Sequence, residues 1–196
     1  MSRNRSPFLN RLFREQRGMA IVEFAFVAPV LLLLVIGAME VGYRIYGIST
    51  TNGALREAAR MASTGEYTGA QIDDQVRSMI RRWRRDATIA ITKKSYADFT
   101  GVGLPEPITS GTQASGKYCY EDTNGNGLWD EDKGTTGLGG PEDVIYYEVD
   151  VEYPTLFAFS QKVMRFTNKG TITLNTIVSN EPFAAVVRTP PATRCV

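Results

Sequence analysis

Residues 17–34 read RGMAIVEFAFVAPVLLLL, and the apolar run they open continues to Val41 with only Glu23 and Glu40 as charged interruptions. About 20 helical residues at 1.5 Å each span roughly 30 Å, the thickness of a bilayer's hydrocarbon core. Length and composition therefore predict a membrane-spanning helix over residues 19–42. An ionisable group inside such a helix costs several kcal/mol and marks a functional site by default. Glu23 is thus the most informative residue of the chain. Pro29 removes one backbone hydrogen bond and predicts a kink, which neighbouring helices in a membrane accommodate. Tyr43, Arg44 and Tyr46 suit the outer interface, where amphipathic rings and a snorkelling guanidinium are at home.

The formal charge of +1 over 196 residues conceals an asymmetry. Five arginines (Arg3, Arg5, Arg11, Arg14, Arg17) and one acid (Glu15) precede Gly18, whereas acids exceed bases in the rest of the chain. Basic residues beside the N-terminal end of a span hold that end in the cytoplasm. The remainder is then expected outside, in an extracytoplasmic domain anchored in the inner (cytoplasmic) membrane. Three readings of the span compete. A cleaved signal peptide wants a shorter apolar region and a small-residue cleavage site, for which Gly37-Ala38-Met39-Glu40 is poor. A plain single-pass anchor leaves Glu23 without a purpose. A cut on the cytoplasmic side, after Gly18, removes a basic leader of residues 1–18 and makes Glu23 the fifth residue of the mature chain. Its carboxylate then stands at the depth of a freed α-amino group on an adjacent subunit, and pairing offsets the cost of burying either.

Gly18, Met19, Glu23 and Phe24, behind a basic leader and ahead of a long apolar helix, resemble the processing site of type IV prepilins. The stretch E-F-A-F-V-A-P-V-L-L-L-L followed by G-A-M-E-V-G-Y is similar to the TadE-like family of the Tad (Flp, tight adherence) pilus system. Leu55-Arg56-Glu57-Ala58-Ala59-Arg60 and Ser179-Asn180-Glu181-Pro182-Phe183 also look familial. The resemblance implies a minor pilin or pseudopilin, matured by a prepilin peptidase, that partners other pilins and pseudopilins and membrane lipids. It implies a role in pilus assembly, surface adherence and biofilm formation, and incorporation into a surface pilus. Major pilins of that system are very short, whereas about 150 residues follow the helix here, which favours the minor role.

Beyond the span, residues 43–86 read as helical. Ser49, Thr50, Thr51 and Asn52 offer N-cap oxygens, and Leu55, Ala58, Ala59 and Ala62 form a small-residue face. This segment either continues the membrane helix or restarts after Gly47. Over Ile72–Asp86, Ile72, Val76, Met79, Ile80 and Trp83 recur at three- and four-residue intervals, with Asp73 and Asp74 expected in the first turn. Arg77, Arg81, Arg82, Arg84 and Arg85 make the other face. That face is either solvated, its stems covering apolar surface, or a contact for anionic headgroups or an acidic partner. Residues 87–183 read as β-rich. Strands are expected at Thr88–Thr92, at Val144–Tyr153 with Tyr147, Val149, Val151 and Tyr153 on one face, and at Gly170–Val178 with Ile172, Leu174 and Ile177 inward. Pro154–Phe159 is an apolar connection that packs on the sheet or touches the membrane surface. Residues 184–196 form an extended tail tethered through Cys195. The expected class is α+β: a transmembrane helix, then an exported domain of one or two helices on an antiparallel sheet.

Within the loop at residues 121–133, Asp122, Asn124, Asn126 and Gly127 match D-x-[DN]-x-[DN]-G. Leu128 would supply its carbonyl, and Asp130 holds the ninth position of a calcium loop. Lys133 stands where the twelfth-position glutamate belongs, so Asp132 or Glu131 must substitute. The plainer reading is an Asp/Asn/Gly turn that needs no metal. Cys119 and Cys195 form no C-x-x-C; exported, they close one disulfide, and otherwise they are two thiols. With no histidine in the chain, the commonest general base is missing. No catalytic set emerges, and the chain reads as a non-enzyme with no nucleic-acid partner. Besides the pilin reading stand a stationary anchored binding module or adhesin with a calcium-stabilised loop and, third, an anchored hydrolase.

Overall fold

The computed structural model describes residues 17–157, 169–181 and 190–196. Most of the leader, Ala158 and Phe159, Pro182 and Phe183, and the first part of the tail lie outside the described residues. The chain divides into two compact units, Met1–Arg44 with Thr155–Asn168, and Ile45–Pro154 with Lys169–Val196. The architecture is α+β, with an N-terminal apolar helix, one further helix and two antiparallel sheets.

Helix α1 runs from Arg17 to Thr64 through both Pro29 and Gly47, so the Ser49–Ser63 segment continues the apolar helix. The residues that offered capping oxygens show why. Thr50 and Thr51 donate their hydroxyls, and Asn52 its side-chain amide, to the carbonyls of Tyr46, Gly47 and Ile48, each four residues back. Such back-bonds keep a polar side chain inside a helix instead of starting one. The helix stops where Gly65, at φ 67°, turns left-handed and its N–H bonds the Ala62 carbonyl. Only glycine adopts that backbone at little cost.

In the second unit, α2 spans Gly69–Trp83 and starts three residues before the expected Ile72. Thr68 and Gln71 form a capping box that fixes this start. Asp73 and Asp74 consequently fall in the second turn, not the first. Ile72, Val76 and Ile80 are fully buried, each contributing about 1.5–3 kcal/mol over an exposed position.

The main sheet has the order β4-β1-β5-β6, with β1 at Thr88–Tyr96, β4 at Thr135–Thr136, β5 at Val144–Pro154 and β6 at Lys169–Ser179. Tyr147, Val149, Val151 and Tyr153 alternate inward as the period predicts, and Ile172 pairs across from Val151 on the same face. Ile177 departs from expectation and is exposed, because strand alternation puts it on the face opposite Ile172 and Leu174, across from Tyr146. The inner face meets both helices. Trp83 packs edge-on against Tyr153 at 4.9 Å. A side chain at Gly47 would meet the Trp83 ring at 2.4 Å and Ile172 at 3.0 Å, so α1 approaches the sheet through a residue without one. Asp73 accepts from Lys93 Nζ at 2.7 Å and from the Tyr147 hydroxyl at 2.9 Å, tying α2 to β1 and β5. Burial, and after it the Asp73 bond, push the Tyr147 phenol far above its ordinary range.

A second sheet, unread in the sequence, has the order β2-β3-β7. Its strands are Ile108–Thr112, Lys117–Asp122 and Ala192–Cys195. The tail is therefore held by a strand ladder as well as by its cysteine. Asn180 is buried beyond β6, where its amide donates to the carbonyls of Leu138 and Gly140, and Glu181 N–H bonds the Ser63 carbonyl.

Candidate functional site

Two places carry the chemistry named from the sequence. The first is the start of α1. Gly18, Met19, Glu23 and Phe24 all lie on this helix and are exposed. One helical turn separates Met19 from Glu23. Among the described residues, Glu23 has no hydrogen-bond or ion-pair partner. The apolar side chains around it are equally uncovered: Ile21 is 71% exposed, Phe24 65% and Phe26 77%. Among the described residues this is the one helix long and apolar enough to cross a membrane. At its far end Glu40 accepts the backbone N–H of Leu156 on both oxygens, at 3.2 Å each. The apolar connection after β5 thus runs beside the end of the span.

The second place is the Asp/Asn/Gly loop, which follows β3 with no helix on either side. Its backbone is wound by its own side chains. Asp122 Oδ2 accepts Gly127 N–H at 3.0 Å, Asn124 Oδ1 accepts Asn126 N–H at 3.0 Å, and Asn126 Oδ1 accepts Leu128 N–H at 2.7 Å. The amides of Asn124 and Asn126 converge on Asp130 Oδ2, at 2.7 and 2.6 Å. Asp122 lies beneath the loop with its side chain wholly shielded, and Arg194 of β7 pairs with its Oδ2. The other oxygen, Oδ1, is buried without a partner.

The loop's main organiser went unread. Glu106 is 1% exposed, and its Oε1 accepts Thr123 N–H at 2.7 Å while Oε2 accepts Asp130 N–H at 3.3 Å. Its backbone carbonyl takes the Trp129 indole N–H, and its N–H bonds the Asp130 carbonyl. The signal available was an acid set between Pro105 and Pro107, a pair that holds it in extended backbone. Asp132, by contrast, is engaged away from the loop, by Lys94, by the Tyr96 hydroxyl at 2.8 Å and by Gly134 N–H. Burial raises the Asp132 carboxyl, but these three partners outweigh it and hold it below the ordinary value. Burial and the bond to Asp132 push Tyr96 up to about 12.

Cys119 and Cys195 are joined in a disulfide between directly opposed residues of β3 and β7. It lies three residues before Asp122 and one after Arg194, so it fixes the ion pair that closes the loop's base. Among the described residues, no three carboxylate or cysteine side chains converge as a metal centre. The candidate ligand set therefore depends on Asn amides and a backbone carbonyl beside Asp122 and Asp130. The orphaned Asp122 oxygen fits a cation; the Arg194 guanidinium already neutralises part of the same carboxylate.

The model of the family described as TadE-like protein matches residues 18–60. Over that segment, from the glycine before the span to the buried small-residue face, the chain is similar to TadE-like proteins, a family of the Tad pilus system. That family is pilus-associated and is not an enzyme family. No curated protein and no solved structure matches the chain.

Proposed function

We propose that this chain is a minor pilin, or pseudopilin, that helps to assemble a Tad-type pilus from the cytoplasmic membrane. In this reading a prepilin peptidase cuts after Gly18. The mature helix packs laterally with other pilins and lipids, and the unit from Ile45 onward stands outside the cytoplasm. The observation that carries it is Glu23, a carboxylate without a partner among the described residues, on an uncovered stretch of apolar helix, four residues after the first mature position. Burying it in lipid alone is costly, and the ammonium of a neighbouring Met19 compensates it. Adherence and biofilm formation follow as consequences of pilus assembly. Single cysteines placed at Val22 and Phe26 are expected to cross-link under oxidation to other pilin subunits in pilus-forming cells. Glu23→Leu should abolish those cross-links. A stationary anchored module would give none in either background.

The loop reading forms a second part of the proposal. Asp122, Asn124, Asn126, the Leu128 carbonyl and Asp130 would hold Ca²⁺, and the buried, partnerless Asp122 oxygen supports this. The ion would neutralise charge and stiffen the loop. A dissociation constant of about 10⁻⁴ M, at the tight end for extracellular sites, gives roughly 1.4 kcal/mol of stabilisation in about 1 mM Ca²⁺. The melting midpoint of the disulfide-bonded protein should rise accordingly, and Tb³⁺ should luminesce through Trp129. Asp130→Ala should remove both effects. A midpoint indifferent to Ca²⁺ would leave a metal-free turn closed by Arg194.

A further inference from the structure

We propose that the Cys119–Cys195 disulfide is a redox control on the calcium affinity of the Asp/Asn/Gly loop, acting through Arg194. It rests on the reading that this loop holds Ca²⁺. Among the described residues Arg194 is the ion-pair partner of Asp122, whereas Glu106 and Asp130 are met by N–H groups and have no such partner. A resident cation therefore already sits on the carboxylate that opens the loop. The guanidinium lies against the turn itself, since a Cβ added at Gly127 would meet Arg194 Cζ and Nη1 at 3.6 Å. Its Nε–H donates to Asp122 Oδ2, which also accepts the Gly127 N–H, and Oδ1 is left as the buried oxygen without a partner.

An ion bound to Asp122 Oδ1 at about 2.4 Å would stand within roughly 7 Å of the arginine charge, across one carboxylate. Like charges that close repel, and at an effective dielectric constant of about 20 the repulsion exceeds a tenfold loss of affinity. The Arg194 side chain is half exposed and can lean into water, which limits the loss to about ten- to a hundredfold. What keeps the arginine there is the bond one residue on. Arg194 stands opposite Tyr120 in a ladder of four residue pairs, and Cys195 opposite Cys119 closes it. Strand β7 is exposed along its whole length, so the ladder and the disulfide carry its attachment to β3. A dithiol reductant would give Cys119 and Cys195 an electron pair and two protons, become a disulfide itself, and free β7 to carry Arg194 off Asp122. The loop keeps its shape without β7. Glu106 accepts the N–H groups of Thr123, Asn124 and Asp130, and Asp122, Asn124 and Asn126 accept those of Gly127, Asn126 and Leu128. Reduction thus removes the competing cation and spares the ligands, and calcium affinity rises.

The test titrates the full chain in detergent with Tb³⁺, read through Trp129, and displaces it with Ca²⁺, in the cold, where the weakened variants stay folded. Cys119→Ser/Cys195→Ser and Arg194→Gln should each bind Ca²⁺ about ten to a hundred times more tightly than the disulfide-bonded wild type. Combined, they should gain nothing beyond either alone, because both remove the same cation. Wild type reduced by a dithiol should match the cysteine variant. Arg194→Gln keeps the disulfide, so it carries the test even if the cysteine variant melts: affinity no tighter than wild type in Arg194→Gln overturns the proposal. A folded cysteine variant that binds like wild type, or gains that add in the combined chain, overturns it equally. Binding that Asp130→Ala abolishes but that ignores Arg194 and the cysteines refutes this control alone. A chain that binds neither ion in any form refutes the calcium reading beneath it.

Discussion

Gly18→Val is expected to leave the chain at precursor length in cells that process the wild type to completion. A peptidase that cuts after glycine has no room for a branched side chain beside the scissile bond. Forcing one in costs about 3 kcal/mol, which slows cleavage roughly a hundredfold. The structure separates this effect from misfolding, since a Cβ added at Gly18 meets nothing within 4 Å. Gly37 is equally open, so Gly37→Val serves as a control that should be cut normally. The shift is the mass of residues 1–18, read directly from membrane-extracted protein. Retention of the leader in both variants, or in neither, would contradict a peptidase that reads position 18.

Loss of the disulfide should give the largest effect on stability. Cys119 and Cys195 are 76 residues apart in sequence, and closing a loop of that size contributes on the order of 4 kcal/mol in the chain-entropy model. For a chain of this length each kcal/mol moves the melting midpoint by about 2–4 °C, so Cys119→Ala/Cys195→Ala should lower it by roughly 8–16 °C. The structure adds a second consequence. Strand β7 is short and wholly exposed, and without its covalent tie Arg194 is free to leave Asp122, whose side chain is fully shielded. An unpaired buried carboxylate is strongly destabilising. Arg194→Ala with the disulfide intact should therefore also lower the midpoint, through the charge alone. A double-cysteine variant that melts with the wild type would show that the ladder holds the tail without help.

The parts of this fold that could be read in advance are those in which side chains carry the period. The long N-terminal helix is legible because its apolar residues run on almost without interruption from Met19 to Val41. β5 is legible because Tyr147, Val149, Val151 and Tyr153 alternate with acids, and α2 because Ile72, Val76 and Ile80 repeat at four. Where backbone pairing decides, the signal vanishes. Ile108–Thr112 and Ala192–Cys195 are exposed along their whole length and have no inward face to announce them. Glu106 was invisible for a related reason: its burial depends on three amides from a loop 17 to 24 residues later, which local pattern does not encode. The start of α2 was missed by three residues because Thr68 and Gln71 cap it ahead of its first apolar residue. Ile177 lies three residues beyond Leu174, an odd step that turns it to the outer face of the strand.

The most direct test of the central claim is the N-terminal residue of the wild-type chain, extracted from membranes of cells with an active prepilin peptidase. The account predicts a single species that begins at Met19, with Glu23 as its fifth residue. A species that begins at Met1 or Ser2 and keeps its arginine-rich start would contradict it.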